Sequence, residues 1–361
     1  MPTLVFTVTN ELSFDQRMQR ICGSLAKNGY EVWLIGRKIE GCPPLDATSF
    51  KQLRINCFSK KGPLFYFEFN LRLFLYLLFK KADLICAIDL DTILACYFAS
   101  IIKGTKRIYD AHEYFTEQKE VATRPAIKRI WLAIERFTVP KFKNGYTVNK
   151  WIADALKQQY LVNYEVIRNL PLNLPYTGKQ SEKSFIIYQG AVNEGRCFEQ
   201  LIPAMKEVAA SLKIFGTGNF INQTISIIND YSLQYKIEVN KPLSPAQLRQ
   251  ITGQATIGIT LFDNQGLSQV HSLANRFFDY IMAGIPQLCI DFPEYRALND
   301  AFNVAYLIPN TEPQTIADAL NKLLTDHVLY GRLQSNCLDA RKKLNWDLEE
   351  THLINYYKQL F

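Results

Sequence analysis

Apolar runs of strand length alternate with segments of helical periodicity from the first residues of the chain onward. Residues 4–9 form an apolar run, residues 15–28 space their apolar positions as a helix does, and residues 31–36 form a second run. A strand, a helix and a strand in this order predict a βαβ unit and hence a parallel sheet. Ligands of such sheets bind beyond the carboxyl ends of the strands. We therefore look for functional side chains at those ends.

A second α/β half begins after a stretch rich in proline, glycine and polar residues. At 361 residues the chain exceeds the size at which a single core keeps growing, so two domains are expected. The intervening composition is typical of an interdomain linker. We predict an N-terminal domain over residues 1–170, a linker over 171–184, a C-terminal domain over 185–345 and a final helical segment over 346–361.

Residues 271–290 form a loop, an amphipathic helix and a short apolar strand. Asn275 is the expected N-cap, and Gly284 followed by Pro286 ends the helix. The amino end of such a helix attracts anions, and Arg276 adds a positive charge there. Asp279 lies one turn further on, where its carboxylate could accept hydrogen bonds from sugar hydroxyls. The alternative interpretation is an ordinary amphipathic helix whose Asp279 faces water.

Glycines in the second half follow two predicted strands, as expected of loops that approach a phosphate. Gly190 ends the run 185–190, and Arg196 follows in the same loop, where a guanidinium can bind phosphate in a bidentate manner. Gly216 and Gly218 follow the run that begins at residue 212. A lone Gly-x-Gly is a weak signal, so its order after the first loop is what makes it informative.

Titratable side chains follow the predicted strands of the first half. The first loop has no Gly-x-Gly-x-x-Gly, and Asp15 and Arg17 are among the polar residues expected to face the ligand crevice there. Asp89 and Asp91 end another strand. A divalent-cation site is one interpretation of that pair, but we favour Asp91 with Thr92 as the cap of a helix beginning at Ile93, with Asp89 pointing into the crevice.

A third strand of the first half ends in Asp110, His112 and Glu113. An imidazole between two carboxylates can exchange protons or donate hydrogen bonds near neutral pH. The alternative is a loop histidine that is satisfied by its neighbours. We predict a functional role for His112, with Asp110 and Glu113 beside it.

Residues 64–79 are rich in leucine and phenylalanine, and lysines flank them. The run is too short, and Glu68 and Arg72 make it too polar, for a transmembrane span of about 20 apolar residues. It is either a helix packed on the sheet or one whose aromatic face lies in a bilayer interface beside the lysines. Both could hold together. The lysines are Lys60, Lys61, Lys80 and Lys81.

Composition excludes some classes of protein and narrows the partners. Hydrophobic residues make up 48% and charged residues 21% of a chain with net charge +7, which describes a globular protein with an anionic partner. Its basic residues are scattered, so we predict no nucleic-acid binding. The eight cysteines and four histidines show no ligand spacing, so we predict no metal site. The amino-terminal residues show no secretory signal, so we expect a cytoplasmic protein with reduced thiols.

The run Asn275-Arg276-Phe277-Phe278-Asp279-Tyr280, followed by Gly284-Ile285-Pro286, resembles the donor-binding segment of glycosyltransferase family 4. That segment is usually written Pro-Asn-Lys-x-Phe-Glu-Tyr, with a Gly-x-Pro turn after it. The resemblance implies a GT-B fold, in which two Rossmann-like parallel-sheet domains face a central cleft and a C-terminal helix crosses back to the first domain. It also implies a retaining reaction that needs no metal and no side-chain nucleophile.

The resemblance assigns roles to individual residues. The acid at Asp279 binds the ribose, the basic residue at Arg196 meets the diphosphate, and the base lies near Leu243. His112 faces the donor sugar and the acceptor, so we treat His112 and Asp279 as catalytic. His271 stands where the family has an acid that touches the donor sugar, and Asp279 is one methylene shorter than the usual glutamate. The donor-binding set is Gly190, Arg196, Gly216, Gly218, Leu243, His271, Ser272, Leu273, Asn275, Arg276 and Asp279, and the acceptor-side set is Asp15, Arg17, Asp89, Asp110 and Glu113.

The sequence as a whole predicts a glycosyltransferase that moves a sugar from a UDP- or GDP-linked donor to a glycan or lipid-linked acceptor. The sugar nucleotide is a substrate, and no cofactor is expected. The role implied is cell-surface polysaccharide assembly, in the cytoplasm or peripherally on the inner face of the membrane through residues 64–81. Two alternatives stay open: a nucleotide-sugar epimerase and a non-catalytic sugar-nucleotide-binding protein at the membrane.

Overall fold

A computed structural model describes residues 1–176 and 184–361 and divides them into two compact units. The first unit comprises Met1–Asn169 with Glu349–Phe361, and the second comprises Leu170–Leu348. Each contains a sheet whose paired strands are all parallel, with helices between most consecutive strands. The predicted α/β class with two Rossmann-like domains is confirmed. Residues 177–183, half of the predicted linker, lie outside the described residues.

The sheet of the first unit has the strand order β3-β2-β1-β4-β5-β6-β7. Its strands are β1 (Thr3–Thr7), β2 (Glu31–Arg37), β3 (Lys51–Ile55), β4 (Leu84–Ile88), β5 (Lys106–Ala111), β6 (Asn144–Thr147) and β7 (Glu165–Val166). The helices between them are α1 (Gln16–Lys27), α2 (Gly62–Phe79), α3 (Leu90–Lys103), α4 (Lys119–Ala122), α5 (Pro125–Thr138) and α6 (Lys150–Tyr160). Strands β1 and β4 are neighbours at the point where the strand order reverses.

The sheet of the second unit has the order β10-β9-β8-β11-β12-β13, so β8 and β11 meet at its reversal point. Its strands are β8 (Phe185–Gln189), β9 (Ser211–Phe215), β10 (Ile237–Asn240), β11 (Ile257–Thr260), β12 (Gln287–Ile290) and β13 (Ala305–Ile308). Its helices are α7 (Phe198–Ala204), α8 (Ile221–Asp230), α9 (Pro245–Thr252), α10 (Leu267–Val270), α11 (Asn275–Ala283), α12 (Pro293–Phe302), α13 (Pro313–Thr325) and α14 (His327–Ala340).

The last helix, α15 (Trp346–Lys358), begins in the second unit and continues into the first. The Tyr357 ring is buried against Phe6 of β1, and its hydroxyl lies 3.2 Å from the hydroxyl of Tyr146 on β6. A Glu349 carboxylate oxygen accepts a hydrogen bond from the Arg168 amide at 2.7 Å. These contacts give the end of the chain a fixed place on the first sheet.

Two predicted helix starts are wrong. Asn275 is the first helical residue of α11 and not its N-cap, because Ala274 holds the extended cap conformation and no side chain caps this end. Helix α3 begins at Leu90, before the predicted Ile93, because Asp89 adopts a left-handed backbone with φ of 54° and becomes the N-cap. Asp91 therefore lies in the first turn of α3, where a carboxylate is favourable to the helix dipole.

Candidate functional site

The loops after β8 and β11 start side by side, because these strands are neighbours in the second sheet. Ligands of open α/β sheets bind where the strand order reverses, beyond the carboxyl ends. The Asp263 amide donates to the Gly195 carbonyl at 3.1 Å, so the two loops are joined directly. Helix α11 then leads into β12, the strand beside β11. The predicted donor-binding loops therefore converge on one edge of this sheet.

The two glycine-containing loops of this unit are packed so closely that a side chain would not fit. A Cβ atom at Gly216 would lie 1.8 Å from the Gly190 carbonyl oxygen, and one at Gly218 would lie 2.3 Å from the Val192 carbonyl oxygen. Val192 donates its amide to the Thr217 carbonyl at 3.0 Å. Gly190 itself has φ of +117°, which a residue with a side chain rarely adopts. Both loops are thereby held in one conformation.

The Arg276 guanidinium lies between two aromatic rings. Its central carbon is 4.7 Å from the centre of the Tyr188 ring and 4.5 Å from that of Phe262. Its Nη1 donates to the Tyr188 hydroxyl and its Nη2 to the Leu261 carbonyl, each at 3.3 Å. Its Nε has no hydrogen-bond partner among the described residues. Arg276 is only 7% exposed, so its positive charge is held inside the second unit.

Arg196 shares the Phe262 ring with Arg276. The Arg196 guanidinium carbon lies 4.4 Å from the centre of that ring, and its side chain is half-buried. The sequence-predicted pair of arginines therefore meets at one aromatic residue. Two cations on one buried ring repel each other, and a bound anion would relieve that repulsion. Arg196 is the more accessible of the two, while Arg276 supplies positive charge from below Gly190.

Asp279 and the amino end of α11 lie at the same edge of the sheet. An Asp279 carboxylate oxygen accepts a hydrogen bond from the Gln189 side-chain amide at 2.9 Å. Gln189 in turn accepts from the Thr252 hydroxyl at 2.6 Å. This chain orients the half-buried carboxylate. Asn275 is exposed in the first turn of the same helix.

The remaining predicted donor-binding residues surround this region without forming a charged site. His271 ends α10, and partial burial lowers the pKa of its imidazole, which favours the neutral form. Ser272 donates its hydroxyl to the Gln269 carbonyl at 2.9 Å. Leu273 packs against the core of the second unit, and Leu243 packs against a smaller cluster around Tyr280. A neutral His271 can bind a sugar hydroxyl, but it does not reproduce the charge of a carboxylate.

In the first unit, Asp89 organises the loop that carries His112. One Asp89 carboxylate oxygen accepts the backbone amides of His112 at 2.9 Å and of Glu113 at 3.3 Å. Burial raises the pKa of Asp89 well above its ordinary value, and the nearby Asp91 and Glu113 carboxylates raise it further. His112 is half-buried and Glu113 is exposed. The Asp89 side chain therefore fixes this turn, and whether it also faces a ligand crevice stays a prediction.

Three other predicted acceptor-side residues are used by the fold. Arg17 forms two hydrogen bonds to Asp110, with Nε to Oδ2 at 3.2 Å and Nη2 to Oδ1 at 2.9 Å, and both side chains are almost fully buried. Its Nη1 donates to the Ile167 carbonyl at 3.0 Å. Asp15 caps α1 through the Met18 amide. Arg17 and Asp110 are therefore structural, since a buried pair of this kind leaves neither charge for a substrate.

The part of the chain that the structure describes contains no group of three or more His, Cys, Asp or Glu residues placed to hold a metal ion. Asp91, the second acid of the Asp-x-Asp pair, accepts a hydrogen bond from the Thr9 hydroxyl. Burial raises the pKa of Asp91 to about 7. Asp89 therefore fixes the turn that carries His112, while Asp91 binds Thr9.

Comparison with solved structures places this architecture among known ones over the whole chain. Sucrose-phosphate synthase from Thermosynechococcus elongatus superposes with a TM-score of 0.78 at 14% identity, covering 100% of this chain and 99% of that one. Anabaena Alr3699/HepE, in complex with UDP-glucose, gives 0.77 at 11% identity, covering 99% and 100%. WaaG, a glycosyltransferase involved in lipopolysaccharide biosynthesis, gives 0.71 at 15% identity, covering 97% and 98%.

The fold is GT-B. Identities of this size establish the fold, while the reaction is a separate question. No protein-family model and no curated protein matches the sequence. Membership of family 4 therefore remains a prediction from the Asn275–Asp279 run.

Sequence reasoning missed the aromatic and amide residues that contact the predicted donor-binding residues Arg196, Arg276 and Asp279. Phe262 and Tyr188 lie at the ends of apolar runs, where they look like core residues. Gln189, which orients Asp279, is the last residue of β8 and is 4% exposed. A polar residue at the last position of a buried strand is the one signal that could have identified Gln189.

Proposed function

We propose that this protein is a glycosyltransferase that transfers a sugar from a nucleotide-diphosphate sugar, with the nucleotide bound by the second unit. The observation that carries the proposal is the convergence of Arg196 and Arg276 on the Phe262 ring beside Gly190. The arrangement concentrates positive charge at the edge of a sheet where ligands bind, and the α11 amino end adds to it. The bound UDP-glucose of the HepE structure supports UDP as the nucleotide.

In the proposed reaction, the nucleotide diphosphate gains negative charge as the bond to the sugar breaks. Arg196 and Arg276 stabilise that charge without a metal ion. Asp279, oriented by Gln189, accepts hydrogen bonds from the ribose. His112 binds substrate or moves a proton near the acceptor hydroxyl and forms no covalent intermediate. We propose retention of configuration because of the resemblance to family 4.

The acceptor in this proposal is a glycan or a lipid-linked sugar, and the role is cell-surface polysaccharide assembly at the cytoplasmic face of a membrane. Support comes from residues 64–79, which lie in helix α2 (Gly62–Phe79) and give it a large exposed apolar face, with Lys80 and Lys81 following the helix. Such a face suits an enzyme whose acceptor is held at a lipid surface.

A thermal-shift screen with UDP- and GDP-sugars tests the donor site. A ligand at 100 times its dissociation constant stabilises a protein by about 2.7 kcal/mol, which gives a clear shift. Arg276→Ala and, separately, Arg196→Ala should abolish that shift. Arg296→Ala is the matched control, because Arg296 lies on α12 of the same unit and its side chain is 58% exposed. Retention of the shift in both site variants would remove the basis of the proposal.

Turnover of radiolabelled nucleotide sugars distinguishes the alternatives left by the sequence. Transfer or slow hydrolysis identifies a transferase, an altered sugar identifies an epimerase, and binding without turnover identifies a binding protein. His112→Ala should lower turnover at least tenfold while leaving the nucleotide-induced thermal shift unchanged, since loss of acid–base participation costs 10²- to 10⁴-fold. A turnover equal to that of the unmodified protein would exclude His112 from the reaction.

A further inference from the structure

Helix α2 carries apolar side chains on two opposite faces, one buried and one exposed to solvent. Its buried stripe consists of Phe65, Phe69, Leu73 and Leu77. Its opposite stripe is exposed, with exposed fractions of 69% for Phe67 and 89% for Phe79. A helix on a protein surface normally carries polar residues there. The exposed stripe consists of Leu64, Phe67, Leu71, Leu75 and Phe79.

The exposed apolar area continues onto the two helices that follow in the packing of the first unit. Helix α3 lies beside α2, where the Lys103 ammonium donates to the Leu77 carbonyl at 2.9 Å. Helix α5 lies beside α3, with the rings of Phe98 and Phe137 6.4 Å apart. Phe98 and Phe137 are themselves exposed, as are Ile101, Ile102 and Ile130. We call these residues, with the exposed stripe of α2, the α2–α3–α5 surface.

Lysines and arginines lie on and beside the α2–α3–α5 surface. Asp83, close to Lys81, is also exposed, and its carboxylate accepts a hydrogen bond from the Thr3 amide at 2.7 Å. Lys61 and Lys81 flank α2, and Arg129 and Arg136 lie on α5 next to Ile130 and Phe137. The carboxylates of these helices are Glu68, Asp91 and Glu135. Glu68 accepts the backbone amides of residues 58 and 59, Asp91 accepts from Thr9, and Glu135 is buried against Thr116. The surface therefore combines apolar side chains with net positive charge.

We propose that the α2–α3–α5 surface binds the interface of an anionic phospholipid membrane. Aromatic and leucine side chains would enter the headgroup region while lysines and arginines meet lipid phosphates. None of the described helices is long and apolar enough to cross a membrane, so binding would be interfacial. A second copy of the chain is a poorer occupant, because a two-fold contact would bring the same positive charges together. This proposal rests on the proposed function, because it says where the acceptor would be met. Binding to vesicles can nevertheless be measured without any sugar nucleotide.

Flotation of the full-length protein with phosphatidylcholine vesicles containing 30% phosphatidylglycerol tests this proposal. We expect binding that weakens with salt and with removal of the anionic lipid. Phe67→Ser combined with Phe79→Ser should weaken it at least tenfold, since burying a phenylalanine stabilises by about 1.5–3 kcal/mol. Lys81→Gln combined with Arg129→Gln should weaken it roughly fivefold per charge. The matched control is Val328→Ser in the second unit, where Val328 is 83% exposed.

Three results would overturn the proposal. The unmodified protein could fail to float, the serine variant could float as well as the control, or light scattering could show a dimer that the serine variant dissociates. The replaced side chains are exposed, so the variant should unfold at the same temperature as the unmodified protein. Its nucleotide-induced thermal shift should also be unchanged, which separates failure of lipid binding from failure of the donor site.

Discussion

Replacing Phe262 with leucine should weaken binding of the nucleotide diphosphate far more than binding of the nucleoside. Phe262 is 3% exposed and contacts the guanidinium groups of both Arg196 and Arg276. Cation–π contacts contribute about 0.5–1 kcal/mol at exposed sites and about 2 kcal/mol when desolvated. Leucine keeps most of the volume but offers no ring. The variant therefore loses the feature that holds both cations in place before the ligand arrives.

The expected loss of affinity follows from the cost of ordering the two arginines again. Immobilising a flexible side chain at an interface costs about 0.5–1.5 kcal/mol, so two arginines cost about 1–3 kcal/mol. This corresponds to a dissociation constant for UDP that rises roughly 5- to 150-fold. Uridine carries no phosphate, so its affinity should change less than threefold. Isothermal titration with UDP, GDP and uridine measures these constants directly.

A suitable control is Phe185→Leu. Phe185 is 5% exposed, lies at the start of β8 and also has a cation, Lys213, over its ring at 5.0 Å. Both variants should lose similar stability, while Phe185→Leu should bind UDP normally. Equal UDP affinity in the Phe262 variant and the unmodified protein would refute the idea that this ring positions the arginines. A parallel loss of uridine affinity would show general damage to the site instead.

Two further predictions concern the folded state. Gly216→Ala should destabilise the protein by about 1–3 kcal/mol or more, because its Cβ would lie 1.8 Å from the Gly190 carbonyl oxygen. Gly331→Ala is the comparison: Gly331 lies in α14 with open space around it, so alanine should stabilise the protein by about 1 kcal/mol. Urea unfolding measures both, and a neutral Gly216→Ala would refute the tight packing of the loops. Burial raises the pKa of Asp91 to about 7, so the folded protein keeps a proton that the unfolded chain releases near pH 4, and stability falls as pH rises between these values. Asp91→Asn should reduce this loss of stability between pH 4 and pH 7 by about 1–3 kcal/mol, after allowance for the partial exposure of Asp91. If the free energy of unfolding of the variant varied with pH as that of the unmodified protein does, the raised pKa of Asp91 would be contradicted.

The sequence was sufficient for features that depend on local pattern. Alternating apolar runs and helical segments predicted the α/β class, and Gly190, Gly216 and Gly218 stood where two loops meet. These positions are visible because a parallel strand must be followed by a turn, and tight turns need glycine. Membership of a family and the choice of donor were not accessible in this way.

What the sequence could not give depends on residues far apart in the chain. Arg17 and Asp110 both look like site residues when read locally, and only the sheet shows that they form a buried pair. Asp91 looked like a helix cap because Asp next to Thr is a common cap sequence. The strained backbone of Asp89 moved the helix start, and no propensity scale predicts a positive φ for an aspartate in this place.

The sheets of the two units reverse their strand order in the same way, but the loops at the two reversal points carry different charges. At the reversal point of the second sheet, the strands β8 and β11 lead to a glycine loop and two arginines, which favour an anion. In the first sheet, the turns after β4 and β5 carry Asp89, His112 and Glu113, which suit hydroxyl groups that donate hydrogen bonds. A diphosphate would be attracted by the two arginines of the second unit and repelled by the exposed Glu113 carboxylate of the first unit. These charges favour the proposed assignment of the nucleotide to the second unit and of hydroxyl groups to the first, whichever sugar is transferred.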